Sequence, residues 1–346
     1  MNEFDLIETF FREKSRLTNS NKIFKNKSFI GIGDDASVFS PPNGFDLVVS
    51  SDLLIEGTHF RRDHTPESIG HKVLAVNLSD IAAMGAEPLC FTLSISIQSI
   101  DEAWLCKFCD GIFDLANEFS CKLIGGDTVR SKENAPMFFG VTVIGIVPSG
   151  KALKRKSMEL NDDIWVSGSL GDPTEALKNN FFCKKLFTPQ PRLALGKELL
   201  DFANSAIDIS DGLSSDLLHL LGESSKNLKR KVIATIDFLS IASCLGPYLF
   251  SCYLKNKLTL NECCSLAVAS GDEYELCFSA RKEFRKTIKS LSADLDLPLT
   301  RIGEVISEKE SKEIFGFNIK QNIIWLDSKG LPIDLKNYPS SGFSHF

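Results

Sequence analysis

The sequence predicts a two-domain α/β (α+β) protein, and three observations carry that prediction. Its 346 residues suffice for two separate cores. The first half reads as strand, helix, strand and strand. The second half alternates strands with helices, the pattern of a layered α/β domain. A polar stretch over residues 148–163, containing Ser149-Gly150-Lys151 and Asn161-Asp162-Asp163, separates the two halves. The expected domains are therefore 1–148 and 149–346.

Each element follows from local pattern. Residues 29–54 are expected to form a β-hairpin, because Ser37-Val-Phe-Ser and Phe45-Asp-Leu-Val-Val flank the turn sequence Pro41-Pro42-Asn43-Gly44. Folding back at that turn would set Asp35 near Ser50 and Asp52, since adjacent strands lie about 4.8 Å apart. Residues 66–84 read as a helix with Thr65 as N-cap, Pro66 as first residue, and Gly85 and Pro88 past its end. On that helix Asn77 and Asp80 are three apart and share a face. A strand over 89–97, a helix over 101–119, a strand entering Gly125-Gly126-Asp127 and an apolar strand over 137–147 complete the first half. In the second half, strands are expected at 164–167, 206–209, 232–236, 274–278 and 301–305. Helices are expected at 192–203, 214–221 and 283–295. No internal repeat or low-complexity tract is evident.

Composition excludes several function classes. The formal net charge of -6 disfavours nucleic acid, whose phosphates call for a basic stripe, and the basic runs at 151–156 and 226–231 carry no interleaved aromatics. No stretch approaches the roughly 18 apolar residues of a membrane span, and the first residues, Met1-Asn-Glu-Phe-Asp, are acidic. A cytoplasmic protein without a membrane partner is expected. The ten cysteines are scattered through apolar segments, as reduced core thiols are. The single CxxC, Cys106-Lys-Phe-Cys109, falls inside an amphipathic helix beside Trp104 and Phe108, with no second ligand pair to make a zinc site.

The chemistry lies in aspartates flanked by Gly and Ser: Gly31-Ile-Gly-Asp34-Asp35, Ser50-Ser51-Asp52, Asn77-Leu-Ser-Asp80, Gly125-Gly126-Asp127 and Asp208-Ile-Ser-Asp211-Gly212. Gathered carboxylates repel and raise one another's pKa, so such a set calls for cations. Hard oxygen ligands suit Mg²⁺, which keeps several positions for water and phosphate oxygens. Gly31-Ile-Gly33-Asp-Asp-Ala36 fits the loose pattern GxGxxG/A, but a strand and turn follow it rather than a helix, which rules out the dinucleotide reading. No GxxxxGK[ST] is present, so phosphates would be held by metal and by glycine-flanked backbone N–H groups. Bland roles compete: Asp34 or Asp35 as a turn cap, Asp52 as a strand-end acceptor, and Asp211 as N-cap of the helix opening at Gly212. A buried Asp80 in an apolar helix would need a partner.

Eight strings occur in order from about Phe4 to Phe346: GIGDDA, SSDLLIEGTHF, KVLAVNLSDIAAMGAEP, LIGGDT, SGSLGD, SAIDISDGLSSDL, DEYELCF and GFSHF. Together they resemble the thiamine-monophosphate kinase family, within the superfamily of aminoimidazole ribonucleotide synthetase and selenophosphate synthetase. The resemblance implies an aminoimidazole ribonucleotide synthetase-like fold and a homodimer paired through its N-terminal domains. It implies ATP-dependent phosphorylation of thiamine monophosphate to thiamine diphosphate, with Mg²⁺ as cofactor, ATP as co-substrate and room for a monovalent cation. Carried over by motif, Asp35, Ser50, Ser51, Asp52, Asp80, Asp127, Asp208 and Asp211 would hold Mg²⁺. Gly126, Asp127, Arg155 and Ser210 would contact ATP. His59, Asp272 and Phe343 would contact substrate, and Asp80, Asp127 and Arg155 would carry catalysis.

One segment departs from the family pattern. Where the family reads GGEDYEL, this chain has Ser270-Gly271-Asp272-Glu273-Tyr274-Glu275-Leu276, with the acidic pair inverted. Either Asp272 or Glu273 could then meet the thiamine rings. Phe343 stands where Tyr or Trp also occurs, so stacking survives while a polar contact does not. Another small-molecule phosphotransferase, a metal-dependent phosphohydrolase and a silent ligand-binding protein are the competing readings. Selenophosphate synthetase is disfavoured because the first cysteine is Cys90.

Overall fold

The computed structural model of the chain describes residues 3–18, 29–316 and 322–337. They fall into two compact units. The first runs to Ile81, resumes over Ala86–Ala152 and takes in Phe187–Leu193; the second holds Ala82–Gly85, Leu153–Leu186 and the chain from Ala194 on. No helix among the described residues is long and apolar enough to cross a membrane.

The first unit is a four-stranded sheet with helices. Its strands are β1 (Phe45–Ile55), β2 (Glu87–Ile97), β3 (Lys122–Arg130) and β4 (Phe138–Pro148), in the order β1-β4-β2-β3. β4 pairs antiparallel with both β1 and β2, and β2 pairs with β3 in parallel. The helix Pro66–Ala83 is apolar nearly all round, with Val73, Leu74, Leu78 and Ile81 buried. The helix Glu102–Glu118 is amphipathic, and Asp101 caps it by accepting from the Ala103 and Trp104 amides. Gly70 and Gly111 let the two helices touch: a Cβ on Gly70 would lie 2.0 Å from the Phe108 carbonyl oxygen. In the CxxC, Cys109 is buried in this core while Cys106 is exposed.

The expected hairpin at 29–54 is not formed. β1 pairs with β4 along its whole length, Phe45 opposite Pro148 and Ile55 opposite Phe138. Residues 30–38 instead close on themselves through two isolated bridges, Ile30 to Val38 and Ile32 to Asp34, and the Ser37 hydroxyl donates to the Ile124 carbonyl on β3. Pro41 and Pro42 lack the N–H groups that a continuous ladder would need. The apolar strand 138–148 offers β1 a better partner.

The second unit is built on a seven-stranded sheet. Its strands are β5 (Asp162–Ser167), β6 (Ala203–Asp208), β7 (Val232–Asp237), β8 (Leu276–Arg281), β9 (Leu299–Ser307), β10 (Ile323–Leu326) and β11 (Pro332–Ile333), in the order β11-β10-β7-β9-β5-β8-β6. Only the β10–β7 pair is parallel. The helix Leu213–Leu228 lays Leu213, Leu217, Leu220 and Leu221 into a core shared with Ile207, Ile236, Phe238 and Ile302. Three helices, Phe238–Ala242, Pro247–Leu254 and Leu260–Ala269, fill a stretch where the sequence predicts no element. The strand expected at 274–278 begins only at Leu276, because Tyr274 has φ 51°.

Candidate active site

In the first unit, β1 meets the helix Pro66–Ala83 through polar groups. Alternate residues of a strand face opposite ways, so Ser50 and Asp52 share the helix-facing side and Ser51 lies on the other. The Ser50 hydroxyl donates to the Asp80 carboxylate. The Asp52 amide donates to Asn77 Oδ1 at 3.1 Å. Asn77 and Asp80 thus act from one helix face, as their spacing implies, and Asp80 has the partner that its environment requires. Burial, then the charge of Asp80, push the Asp52 carboxyl up to about 6. Ser51 bonds Thr142 Oγ1 at 2.9 Å and donates to the Val141 carbonyl. Just past β1, the Ile55 amide donates to His59 Nδ1 at 3.0 Å, which places the neutral ring's proton on Nε2. The nearly fully buried Lys72 donates to the His59 carbonyl and fixes this turn.

Asp35 and Asp127 belong to a different place. They line a cavity of about 990 Å³ with Arg12, Gly33, Thr92 and Gly126. Asp34 Oδ1 accepts from the Asp35 amide at 2.9 Å, so Asp34 takes the turn-capping role. A Cβ on Gly126 would lie 1.8 Å from the Leu93 carbonyl oxygen, so only glycine allows β3 to run this close to β2. Arg12 reaches the same loop, its guanidinium 2.7 Å from where a Gly33 Cβ would stand, and pairs with Glu8 at 2.9 Å. Sequence reading gives no sign of Arg12, which comes from a helical run over 3–17.

The strand register shows how far apart the two groups lie. Asp52 pairs with Val141, Val141 with Leu93, and Leu93 with Gly126. Three interstrand steps of about 4.8 Å make roughly 14 Å. Asp127 follows Gly126 and so lies on the opposite sheet face from Asp52. The expected proximity of Asp35 to Ser50 and Asp52 is therefore corrected: residues 33–37 follow β3, at the other edge of the sheet. Among the described residues, no group of three or more His, Cys, Asp or Glu side chains gathers as a metal-ligand set.

The second unit collects a third group. Asp208, buried, ends β6 opposite Leu276. The helix that follows is capped by Gly212 with no side-chain cap bond, so Asp211 is not its N-cap. Asp216 takes that work from inside the helix, its Oδ2 accepting the amides of Ser210, Asp211 and Gly212 at 3.1 Å each. Burial, then the charge of Asp211, raise the Asp216 carboxyl to about 7. The Asp272 amide donates to the Ser210 carbonyl at 2.8 Å, so Asp272 and Ser210 stand together. Tyr274 Oη donates to Asp272 Oδ1 at 2.9 Å. Glu273 is buried and paired with Lys185 at 2.9 Å, whereas Asp272 is half-buried.

Arg155 lies elsewhere in this unit. It sits on a 3₁₀ turn, Arg155–Ser157, whose Arg155 carbonyl accepts from Ser224 Oγ. At 1.5 Å per residue, Ser224 is about 16 Å along the helix from Leu213, so the structure does not bring Arg155 to Ser210. Phe343 lies outside the described residues.

Residues 33–147 match the family model of the AIR synthase related protein, N-terminal domain. Over 321 residues the chain is 35% identical to the thiamine-monophosphate kinase of Escherichia coli (strain K12), covering 89% of this chain and 91% of that protein. The chain belongs to the thiamine-monophosphate kinase family. A solved thiamine-monophosphate kinase, from Stenotrophomonas maltophilia K279a, superimposes with a TM-score of 0.77 at 34% identity, over 96% of this chain and 98% of that one. AaThiL complexed with AMPPCP and TMP shares the fold, at a TM-score of 0.70 and 24% identity over 99% and 97% of the two chains. The α/β (α+β) fold expected from the sequence is thus that of a thiamine-monophosphate kinase.

Proposed function

We propose that this protein transfers the γ-phosphoryl group of ATP to the phosphate of thiamine monophosphate, giving thiamine diphosphate and ADP. The observation that carries the reading is the Asp52–Asp80 pair, fastened by Ser50 and Asn77, in a chain similar along most of its length to thiamine-monophosphate kinases. Two carboxylates within mutual electrostatic influence at partial burial have the chemistry of a cation site, and burial first, then the charge of Asp80, raise the Asp52 carboxyl to about 6. Asp52 and Asp80 with Ser50 would hold Mg²⁺ there, Asp35 and Asp127 in the cavity, and Asp208 and Asp211 in the second unit; Ser51, on the other face of β1 and bonded to Thr142, stands apart from the pair. Mg²⁺ when bound offsets charge on the transferred phosphoryl and on the departing ADP.

No side-chain nucleophile is needed. The substrate phosphate, with a second pKa of about 6, is itself the nucleophile at neutral pH. In the first unit the backbone N–H groups around Gly126 would receive nucleotide phosphates; in the second unit Ser210 and Arg155, which the structure does not bring together, are each assigned to the nucleotide by the family resemblance alone. By the family resemblance His59 in the first unit would contact the substrate, as would Asp272 in the second unit and Phe343.

We further propose a homodimer. β1 is an edge strand, and Phe45, Leu47, Val49 and Leu53 alternate onto one exposed face. A row of large apolar side chains on an open edge is covered in a stable protein, and a second copy of the same sheet covers it in kind.

The test is incubation with ATP, Mg²⁺ and thiamine monophosphate while thiamine diphosphate, ADP and free phosphate are separated and quantified. Equal yields of thiamine diphosphate and ADP, dependent on Mg²⁺, are expected. Free phosphate instead would assign a hydrolase, and binding without turnover a silent relative.

A further inference from the structure

In the second unit a cation lies at the base of the Asp272 segment. Lys185 Nζ sits 2.9 Å from Glu273 Oε2 and 3.0 Å from Glu275 Oε1, and it donates to the Ser169 carbonyl. The other oxygen of each glutamate is also used. Glu273 Oε1 accepts the Gly171 amide at 2.5 Å, and Glu275 Oε2 accepts the Ser167 hydroxyl at 2.5 Å. Both carboxylates are buried, at 1% and 0% exposure. Two loops are thereby tied together, residues 168–171 and residues 270–276. The fit leaves no slack: Gly168, at φ 61°, would place a Cβ 2.1 Å from Glu275 Oε1.

Asp272 sits inside this arrangement in an unfavourable backbone state. Asp272 and Tyr274 have φ 58° and 51°, in the left-handed region that residues other than glycine adopt rarely and only when their surroundings hold them. Ser270, Glu273 and Glu275 are buried and anchored. Ser270 Oγ donates to Thr174 Oγ1, and the Gly271 amide donates to the same oxygen. On the outer side the Asp272 and Tyr274 amides donate to the Ser210 and Ile209 carbonyls at 2.8 Å. The conformation of Asp272 thus depends on anchors on either side of it, and the charged one is Lys185.

We infer that Lys185 is a positioning residue for substrate: its bridge to Glu273, Glu275 and Ser169 fixes the loop on which Asp272 is presented to the thiamine rings. The inference rests on the proposed kinase function and extends it to a residue with no motif of its own. It also assigns different work to the two acids of the inverted pair. Glu273 is committed to the lock, and Asp272 is the carboxylate that meets substrate. Without the ammonium, the two buried carboxylates would lose the cation that bridges them, and the left-handed residues between the anchors would relax.

Steady-state kinetics of Lys185→Met, Lys185→Arg and the double variant Lys185→Met/Glu275→Gln test this, with amide exchange measured on the same proteins. The double variant keeps the net charge of the lock and is read if Lys185→Met alone does not fold. The expected result is a KM for thiamine monophosphate raised at least tenfold, a KM for ATP within twofold of the parent, and recovery to within about threefold in Lys185→Arg. Amides at 168–171 and 270–276 should exchange faster in the Met variants. Equal rises in both KM values, or a loss of thermal stability with the KM ratio unchanged, would reduce Lys185 to a structural ion pair. A parent protein that forms no thiamine diphosphate would defeat the kinase reading instead; the exchange rates would then still decide whether the lock orders the loop.

Discussion

The Ser50 hydroxyl donates to the Asp80 carboxylate and so binds the centre of β1 to the helix Pro66–Ala83. The bond brings Asp52 and Asp80 within mutual influence, with Asp52 raised to about 6. Substituting Asp80→Asn removes the repulsion but also the second anionic ligand. The expected result is a fall in kcat of at least 100-fold with little change in Tm in the presence of EDTA. Mg²⁺, which at 100 times its Kd would stabilise the parent by about 2.7 kcal/mol, should stabilise the variant much less. The same kcat loss is expected for Asp127→Asn. Normal turnover with normal Mg²⁺ dependence in either variant would remove these residues from the metal site.

Asp216 organises the loop carrying Ser210 and Asp211, accepting three amides on one oxygen. Asp216→Ala leaves those donors without a protein acceptor, at a cost of about 2–4 kcal/mol once water has partly replaced it. Asp216→Asn keeps an acceptor oxygen and should lose about 1 kcal/mol. Because Ser210 is assigned to ATP, Asp216→Ala should also raise the KM for ATP by more than tenfold. Urea unfolding together with ATP titration would check both. Destabilisation without any change for ATP would confine Asp216 to the fold.

Asp163 supplies a pH dependence. The carboxylate is buried, which alone would raise its pKa, but Arg285 and Arg301 bond it at 2.5 to 2.7 Å and hold it below the ordinary range. A depressed carboxyl binds fewer protons in the folded than in the unfolded state below pH 4, so its stabilisation is present above that pH and is lost on acidification. Asp163→Asn should cost about 2–3 kcal/mol at pH 7, less than a fully enclosed pair because both guanidiniums are partly exposed. The difference from the parent should shrink as pH falls from 4 toward 2. A pH-independent difference in denaturant midpoints would contradict the assignment.

Elements with strong local signals were legible in the sequence. The helix at 66–84 ends within a residue of its expected boundary because Thr65, Pro66 and Gly85 mark both ends. Asn77 and Asp80 act together because i, i+3 spacing is a local property. What failed was non-local. The partner of β1 lies about ninety residues away in the chain, and Pro41 and Pro42, which have the local signature of a turn between strands, instead mark the end of pairing. Asp211 resembled a cap, but the three amides chose Asp216, whose side chain turns back from the first turn of the helix. Lys185 carries no motif, and its partners are 88 and 90 residues on. The helices over 238–269 were missed because each is short and apolar on more than one side, which defeats periodicity.

The exposed row on β1 predicts how the protein assembles. Val49 is 61% exposed and Leu53 53%, both on the face away from the helix-bound Asp52. Covering such residues is worth about 25 cal/mol per Å² of apolar area, whereas a carboxylate there would have to be desolvated on association. Val49→Asp should therefore convert a dimer into a monomer of about 38 kDa, read by light scattering across a dilution series. The metal-facing residues of β1 point the other way, so Mg²⁺ binding at Asp52 and Asp80 should persist in the monomer. A parent protein that is monomeric at 50 μM, or a Val49→Asp variant that remains dimeric, would place the contact elsewhere.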